Sequence, residues 1–275
     1  MSKFRTLDKT QMVQLIKMVQ PISTSRGLAP RPSTRNLIRA SVGCLLAFTL
    51  LAGAFQLAVV SGGSSRKTII DYRPTIYSQQ QSPQYVRKIG EAAITQQLQA
   101  GEVVYSKLDE QGRTQQVRAC INYEMMQRGK VRAREIMPDP SGWPRHNPRV
   151  IIRLYNGRAY QGSMWNRSHL LAKSLGGQER LENLITGTRM QNVGANDGQG
   201  GMAFHETKIR DWLTAHPNGT VQFVATPAYY KDEQIPRSVF VQAQSSDKSI
   251  NESLEVYNTA AGFSIDYQTG DVGVA

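Results

Sequence analysis

A stretch of 21 residues without a charged side chain, ASVGCLLAFTLLAGAFQLAVV at residues 40–60, constrains this chain more than any other feature. About 20 apolar residues suffice to cross a bilayer as an α-helix, and a helix inside a soluble protein rarely lacks charge around its whole circumference. We therefore predict one N-terminal transmembrane helix. The 39 residues before it carry eight Lys and Arg against one Asp, which favours a cytoplasmic basic tail.

The length of that tail bears on processing. A secretory signal normally has a short charged head, so 39 preceding residues favour an uncleaved signal anchor at the cell membrane, with the rest of the chain outside the cell. The small residues Ala52, Gly53 and Ala54 leave cleavage, and a secreted form, as the alternative. Residues 61–84, rich in Ser, Gly, Gln and Pro, are predicted to be a linker, and residues 85–275 a folded domain.

The net charge of +12 lies mostly outside that domain, because residues 61–275 keep only +5 of it. Within them, residues 118–173 carry eleven Lys and Arg against three acidic residues. Such a run is often a solvated face, but arginine also offers planar, paired donors to phosphate oxygens. Because the run leads into the motif described below, we predict that Arg128, Arg132 and Arg134 contact a polyanionic substrate.

The hydrophobic pattern of the domain predicts an α+β class with a mainly antiparallel sheet. Apolar spacing predicts helices at residues 84–100 and 203–215. Strands are predicted at residues 102–107, 115–122, 150–155, 158–161, 220–230, 238–244 and 254–257, and around a turn within 262–274. Asn156-Gly157 predicts a tight type I′ turn joining the third and fourth of these strands.

Three segments carry the chemistry: WNRSHLLAKSLGG at residues 165–177, ENLITGTRMQNVG at 182–194 and HETKIRDWL at 205–213. Together they resemble the DNA/RNA non-specific endonucleases of the ββα-metal, or His-Me finger, class. Among these the chain is most similar to the membrane-anchored DNA-entry nucleases of naturally competent bacteria. The resemblance covers most of residues 85–275 and implies a ββα-metal catalytic core.

The family's hallmark is a D-R-G-H motif followed by a metal-binding Asn. The resemblance implies that His169 is the general base and that Asn192 is the metal ligand. It also implies that Asn183 supports the site and that Glu206 is the acidic residue on the following helix. Two departures occur, since Asn166 replaces the Asp and Ser168 replaces the Gly; the first removes a carboxylate that would orient the neighbouring Arg and metal-bound waters.

Elementary chemistry agrees with these roles. Imidazole has an unperturbed pKa of about 6.5, which suits it to deprotonate water near neutral pH. A neutral amide such as that of Asn192 leaves Mg²⁺ most of its charge and its water shell, so Mg²⁺ is the expected cofactor, with Mn²⁺ as an alternative. Neither CxxC nor HExxH spacing, which would indicate zinc, occurs in the chain.

Phosphate charge is expected to be stabilised by Arg167, Arg189 and Arg210. Alternation along a strand would point Arg167 to the same side as His169. Each candidate also has a structural interpretation: Arg189 could pair with Glu182, Arg210 could be the helical i,i+4 partner of Glu206, and the His and Asn residues could be ordinary surface or turn residues. Their ordered occurrence in one sequence favours the catalytic interpretation.

The sequence thus predicts a metal-dependent, sequence-non-specific endonuclease that acts on DNA, and on RNA as a second substrate, at the outer face of the membrane. DNA uptake or nucleic-acid salvage would be its role, and the DNA-uptake machinery a partner. Two alternatives stay open: a DNA-uptake receptor whose catalytic site has weakened, and an antibacterial nuclease toxin. The replacements at Asn166 and Ser168 are the support for the first, and the signal anchor argues against the second.

Overall fold

The computed structural model describes residues 73–133 and 135–275. The predicted basic tail, the transmembrane helix at residues 40–60, residues 61–72 of the predicted linker, and Arg134 therefore lie outside the described residues. Within the part that is described, no helix is long and apolar enough to cross a membrane.

Strands dominate the described residues. In chain order the elements are β1 (Val86–Gly90), β2 (Val103–Tyr105), β3 (Val117–Asn122), α1 (Tyr123–Val131), β4 (Arg149–Arg153), β5 (Ala159–Ser163), β6 (Trp165–His169), β7 (Leu184–Thr188), α2 (Arg189–Val193), α3 (Ala203–Ala215), β8 (Thr220–Ala228), β9 (Ser238–Ser245), β10 (Asn251–Tyr257), β11 (Phe263–Ile265) and β12 (Val272–Val274). Six strands form one sheet in the order β1-β10-β9-β8-β3-β2, and every neighbouring pair in it is antiparallel. The predicted α+β class with a mainly antiparallel sheet is confirmed.

The largest hydrophobic core lies between this sheet and the helices. Ile121, Phe223 and Val241 of the sheet share one buried cluster with Met126 of α1 and Ile209 of α3. Burial of such large apolar side chains provides the main driving force for holding these layers together. A second cluster surrounds the three two-stranded hairpins β4-β5, β6-β7 and β11-β12, and includes Ile152, Met164, Trp165 and Tyr257.

The hairpin β6-β7 and helix α2 form a ββα unit that stands outside the central sheet. One buried side chain, Asn258, ties this unit to the sheet. Its Oδ1 accepts from Thr188 N at 2.7 Å, and its Nδ2 donates to Thr186 O at 3.0 Å and to Pro236 O at 2.7 Å. Since buried backbone groups need partners, Asn258 fixes β7 in position.

Segment 73–84, which the sequence assigns to the linker, contacts the same sheet. The Thr75 hydroxyl donates to the buried carboxylate of Glu255 at 2.7 Å, and the ring of Tyr77 stacks on that of Tyr85 at 4.9 Å. This segment therefore packs against the folded domain.

The helix predicted at residues 84–100 is wrong. Its first part is the edge strand β1, paired with β10 so that Val86 lies opposite Val256. Farther along, Ala93 N donates to Gln242 Oε1 at 2.7 Å. Strand pairing at the sheet edge and a side-chain acceptor on the interior strand β9 thus offer this Ala- and Gln-containing segment hydrogen bonds that override its helical spacing.

Helix α1 was not predicted, although it has a good start signal. Asn122 caps it by accepting from Met125 N at 2.9 Å, and Glu124 lies in its first turn. Helix α3 and the strands β2, β3, β8, β9 and β10 are where the sequence predicts them, apart from shifts at their ends.

The hairpin β4-β5 is confirmed, but its predicted turn type is wrong. A type I′ turn needs positive φ at both central residues, whereas here Gly157 has φ 79° and Asn156 is not among the residues with positive φ. Gly157 N donates to Leu154 O at 3.1 Å, and Leu154 N donates to Arg158 O at 2.8 Å. The loop is therefore one residue longer than the two-residue turn expected, with Gly157 in the left-handed conformation.

Candidate active site

A surface cleft of about 580 Å³ collects most of the residues that the motifs single out. Strand β6, helix α2 and helix α3 each contribute to its lining. The lining side chains include Arg167, His169, Asn192 and Glu206, together with Glu135, Met137, Lys173, Ser174 and Glu179. Residues that lie far apart in the sequence thus face one space.

His169 and Arg167 come from the same strand, β6, and alternation directs both toward the cleft. The guanidinium of Arg167 lies over the ring of Trp143 at 4.2 Å, and its Nε donates to Asp139 Oδ1 at 2.8 Å. Asp139 therefore gives Arg167 a carboxylate partner. The family motif has a carboxylate at position 166, where this chain has Asn166. Arg167 is held from two sides with its charge at the edge of the cleft.

Asn192 lies on α2, and both polar atoms of its side chain have neighbours on β6. Its Nδ2 donates to Asn166 Oδ1 at 3.0 Å, and its Oδ1 accepts from Ser168 Oγ at 3.3 Å. The two residues that depart from the family motif therefore both contact the candidate metal ligand.

Asn183 is fully buried and lies behind the cleft. Its Oδ1 accepts from Leu171 N at 2.9 Å, and its Nδ2 donates to Leu171 O at 3.0 Å and to Gln178 O at 2.8 Å. These bonds fix the loop that follows His169. Asn183 can thus hold the base in place but does not line the cleft.

Glu206 lies in the first turn of α3, with its side chain largely buried. Burial raises the pKa of Glu206 to about 7, and the opposing effect of the Arg210 charge is smaller. Arg210 Nη1 is 3.8 Å from Glu206 Oε2, and the guanidinium also donates to Ser174 and Thr207. The neighbouring His205 is fully buried, and burial lowers its pKa to about 3, so it is a neutral packing residue.

The oxygen donors in the cleft fit a hard divalent cation. Among the described residues no group of three His, Cys, Asp or Glu side chains could hold a metal ion. A cation here would therefore depend on the amide oxygen of Asn192, on the Glu206 carboxylate and on water. That set suits Mg²⁺, which usually keeps several waters, better than zinc, which prefers four nitrogen or sulfur ligands.

A second groove of about 700 Å³ lies on the other side of α1 and shares Gly129 with the cleft. Arg128 and Arg132 line it. Arg128 is exposed and pairs with Glu124 at 2.8 Å, whereas Arg132 pairs at 2.9 Å with Glu179, which also lines the cleft. Arg132 therefore lies at the boundary between the groove and the cleft.

Arg189 is placed differently from the other candidates. Its guanidinium lies over the ring of Tyr160 at 4.9 Å, and it is not among the cleft-lining residues. Nor does it pair with Glu182, whose carboxylate accepts from Arg180. Arg189 thus packs against the β4-β5 hairpin.

Several residues of the cleft region were not singled out from the sequence, and four of them make polar or ring contacts there: Asp139, Trp143, Lys173 and Glu179. Lys173 Nζ donates to Gly129 O at 3.1 Å and to Arg132 O, at the end of α1. None of the four has a role in the motif, although Lys173 and Glu179 closely follow His169 in sequence. Their contacts depend on how α1 and the loop 138–143 pack, which no local pattern indicates.

Comparisons with known proteins agree with this geometry. The model of the DNA/RNA non-specific endonuclease family matches residues 79–272. A deoxyribonuclease of Streptococcus dysgalactiae subsp. equisimilis is 34% identical over 209 residues, which are 66% of this chain and 63% of that protein. The chain thus aligns with less than two thirds of that relative.

Two solved structures are similar. That of Sda1 nuclease with a bound zinc ion has a TM-score of 0.67 at 33% identity, covering 72% of this chain and 100% of that one. That of NucA from Streptococcus agalactiae with a magnesium ion has a TM-score of 0.52 at 21% identity, covering 63% and 78%, and shows a common fold. Because the family model matches well over half of the chain, this protein belongs to the DNA/RNA non-specific endonuclease family.

Proposed function

We propose that this protein is a Mg²⁺-dependent, sequence-non-specific endonuclease that hydrolyses phosphodiester bonds of DNA, and of RNA as a second substrate. One observation carries the proposal: the ββα unit and α3 bring His169, Arg167, Asn192 and Glu206 to a single cleft. Base readout is not required for such a reaction, because phosphate contacts can supply the affinity.

In this proposal His169 takes a proton from the attacking water, and Arg167 binds the phosphate oxygens. Arg167 is preorganised for this by Trp143 and Asp139, so little rearrangement is needed as charge develops. Arg210 lies behind Glu206 and supports its charge. Asn183 holds the loop after His169 in place.

Asn192 and Glu206 would hold the cation, directly or through water. A bound Mg²⁺ would stabilise negative charge on the phosphate and on the leaving oxygen. The choice of Mg²⁺, or Mn²⁺ as its nearest substitute, follows from the oxygen donors of the cleft. The zinc ion in the Sda1 structure belongs to that protein; it shows that a relative at 33% identity binds a divalent cation.

The groove beside α1 is proposed to guide the nucleic acid into the cleft. Arg128 is exposed and its pair with Glu124 is on the surface, where such pairs contribute little and can be exchanged for a phosphate contact. We propose that Arg132 contacts the nucleic acid at the boundary between the groove and the cleft. Arg134, which is close to it in sequence, is proposed to do the same. Because Arg189 packs on Tyr160, we assign it no substrate contact.

We further propose that residues 40–60 anchor the nuclease in the cell membrane, with its domain outside. The support is the uncharged run itself and the basic residues that precede it. In that location the enzyme would serve DNA uptake, with the uptake machinery as partner, or nucleic-acid salvage.

The first prediction separates the base from the metal ligand. Full-length protein in detergent should degrade plasmid DNA with Mg²⁺, and His169→Ala should lose about 10²-fold or more in turnover, as expected for a lost general base. Added imidazole should restore activity to His169→Gly but not to Asn192→Ala. Near-normal turnover of His169→Ala would remove the basis of the proposed mechanism, and inactivity of the unaltered protein across pH 6–9 would favour the weakened receptor.

The second prediction concerns pH. Because the pKa of Glu206 is about 7, this side chain is mostly a carboxylate at pH 8 and mostly a neutral acid at pH 6. A cation competes with that proton, so the Mn²⁺ affinity measured by calorimetry should fall as the pH is lowered from 8 to 6. Glu206→Gln should bind more weakly at pH 8 and show a flatter pH dependence. An unchanged dependence in this variant would show that Glu206 does not take part in binding the cation.

The third prediction tests the groove, using His169→Ala as background so that DNA is bound but not cut. Arg128→Ala should reduce the slope of log affinity against log salt concentration by roughly 0.7 to 0.9, the effect of one lost phosphate contact. Arg158→Ala is the matched control, because Arg158 is an exposed arginine of the same basic run that lies outside the groove. Equal effects of the two variants would mean that only overall charge matters.

The fourth prediction concerns topology. Protease added to intact cells, after removal of any outer wall, should release the nuclease domain and leave a membrane-bound fragment containing residues 40–60. A tag at the N-terminus should stay protected, because the basic tail is proposed to be cytoplasmic. Protection of the domain itself would reverse this orientation, and recovery of all the protein in the medium would indicate cleavage after Ala54.

A further inference from the structure

The face of β6 opposite His169 is occupied by the two residues that differ from the family motif. Asn166 and Ser168 alternate with Arg167 and His169, so they face α2. Gly187 lies opposite Asn166 in the neighbouring strand, and a Cβ there would be only 2.6 Å from Ser168 Cβ. The same Cβ would lie even closer to Gln191 Oε1 of α2, so the close approach of α2 to the hairpin needs this glycine.

Each of the two polar atoms of the Asn192 side chain contacts one of these neighbours. The NH₂ group donates to Asn166 and the oxygen accepts from Ser168. An amide oxygen has two acceptor positions, so the contact with Ser168 leaves one for a cation. Asn192 itself lines the cleft.

The chemistry of position 166 decides how firmly the amide is oriented. A carboxylate, as in the family motif, can only accept hydrogen bonds and so would by itself hold the NH₂ group of Asn192. The neutral oxygen of Asn166 holds that NH₂ group less strongly than a carboxylate would, because charge-assisted hydrogen bonds are roughly twice as strong as neutral ones. The second contact, from the Ser168 hydroxyl to the oxygen of Asn192, adds to this weaker hold.

We propose that Asn166 and Ser168 act as one positioning unit, which holds the oxygen of Asn192 available for the cation in place of a single carboxylate. The inference rests on the proposed metal role of Asn192. It implies that the two replacements are coupled, since Ser168 is needed because residue 166 is Asn. The Asn-Ser pair thus maintains the metal site rather than weakening it.

The test is a double-mutant cycle on the full-length protein in detergent, with Mn²⁺ as the probe and its affinity measured by electron paramagnetic resonance. Ser168→Ala should weaken Mn²⁺ binding about 10-fold, the lower end of what removing an outer-shell partner costs. In the Asn166→Asp background the same change should cost less than about 3-fold. Asn166→Asp also adds a negative charge, which changes the Mn²⁺ affinity by the same factor whether residue 168 is Ser or Ala. The effect of this charge therefore cancels when the cost of Ser168→Ala is compared between the two backgrounds.

Controls separate positioning from other effects. Ser238→Ala removes a fully buried hydroxyl of the central sheet and should leave Mn²⁺ affinity unchanged. Ser168→Ala should also raise the Mn²⁺ concentration that gives half-maximal turnover, because the variant lowers the occupancy of the metal site. If Ser168→Ala does not fold, Asn166→Ala takes its place. This variant should bind Mn²⁺ about 10-fold more weakly than the unaltered protein. Asn166→Asp, in contrast, should not weaken Mn²⁺ binding.

Two results would contradict the inference: an equal cost of Ser168→Ala in both backgrounds, or no cost in either. Asn192→Ala distinguishes these failures from failure of the proposed function. If Asn192→Ala weakens Mn²⁺ binding and the cycle shows no coupling, only the positioning unit is refuted. If Asn192→Ala has no effect on Mn²⁺ affinity, the metal role of Asn192 is itself refuted.

Discussion

The arrangement of the candidate site depends on how the ββα unit is attached to the central sheet. The unit shares no strand with that sheet, so its position depends on packing and on a few buried polar contacts. Asn258 provides three of these, to Thr186, Thr188 and Pro236. Its amide matches one donor and two acceptors of the backbone, which a hydrophobic residue could not do. The relation between β6, which carries His169, and α3, which carries Glu206, follows from this attachment and from the shared core.

Within the unit, alternate residues of β6 face opposite sides of the strand and make different contacts. His169 and Arg167 face the cleft, while Asn166 and Ser168 face α2 and its Asn192. A shift of one residue in this pairing would exchange the two faces and separate the base from the cleft. The short strand pair therefore carries both the side chains that line the cleft and the contacts that hold Asn192.

The sequence predicted the fold class, and it singled out four residues that the structure brings to one cleft, because both depend on local patterns. Helix α3 has a clear apolar face and ends just before Asn218-Gly219, and the motifs around His169 and Asn192 are compact. Helix α1 was missed despite the local capping signal of Asn122, but another failure has a long-range cause. At residues 84–100 partners far along the chain, such as Gln242, decided the conformation, and no helical spacing could reveal them.

The same cause explains which site residues were missed. Asp139 lies 28 positions before Arg167, in a loop without a recognisable pattern, yet its carboxylate is the partner of that guanidinium. A carboxylate at position 166 could have both accepted from Asn192 and balanced the nearby arginine. Here these tasks are divided, because Asn166 and Ser168 contact Asn192 while Asp139 pairs with Arg167. The loss of the motif carboxylate thus removes a charge from beside Asn192 but leaves both Asn192 and Arg167 with hydrogen-bond partners, so the hydrogen bonding around this position is maintained.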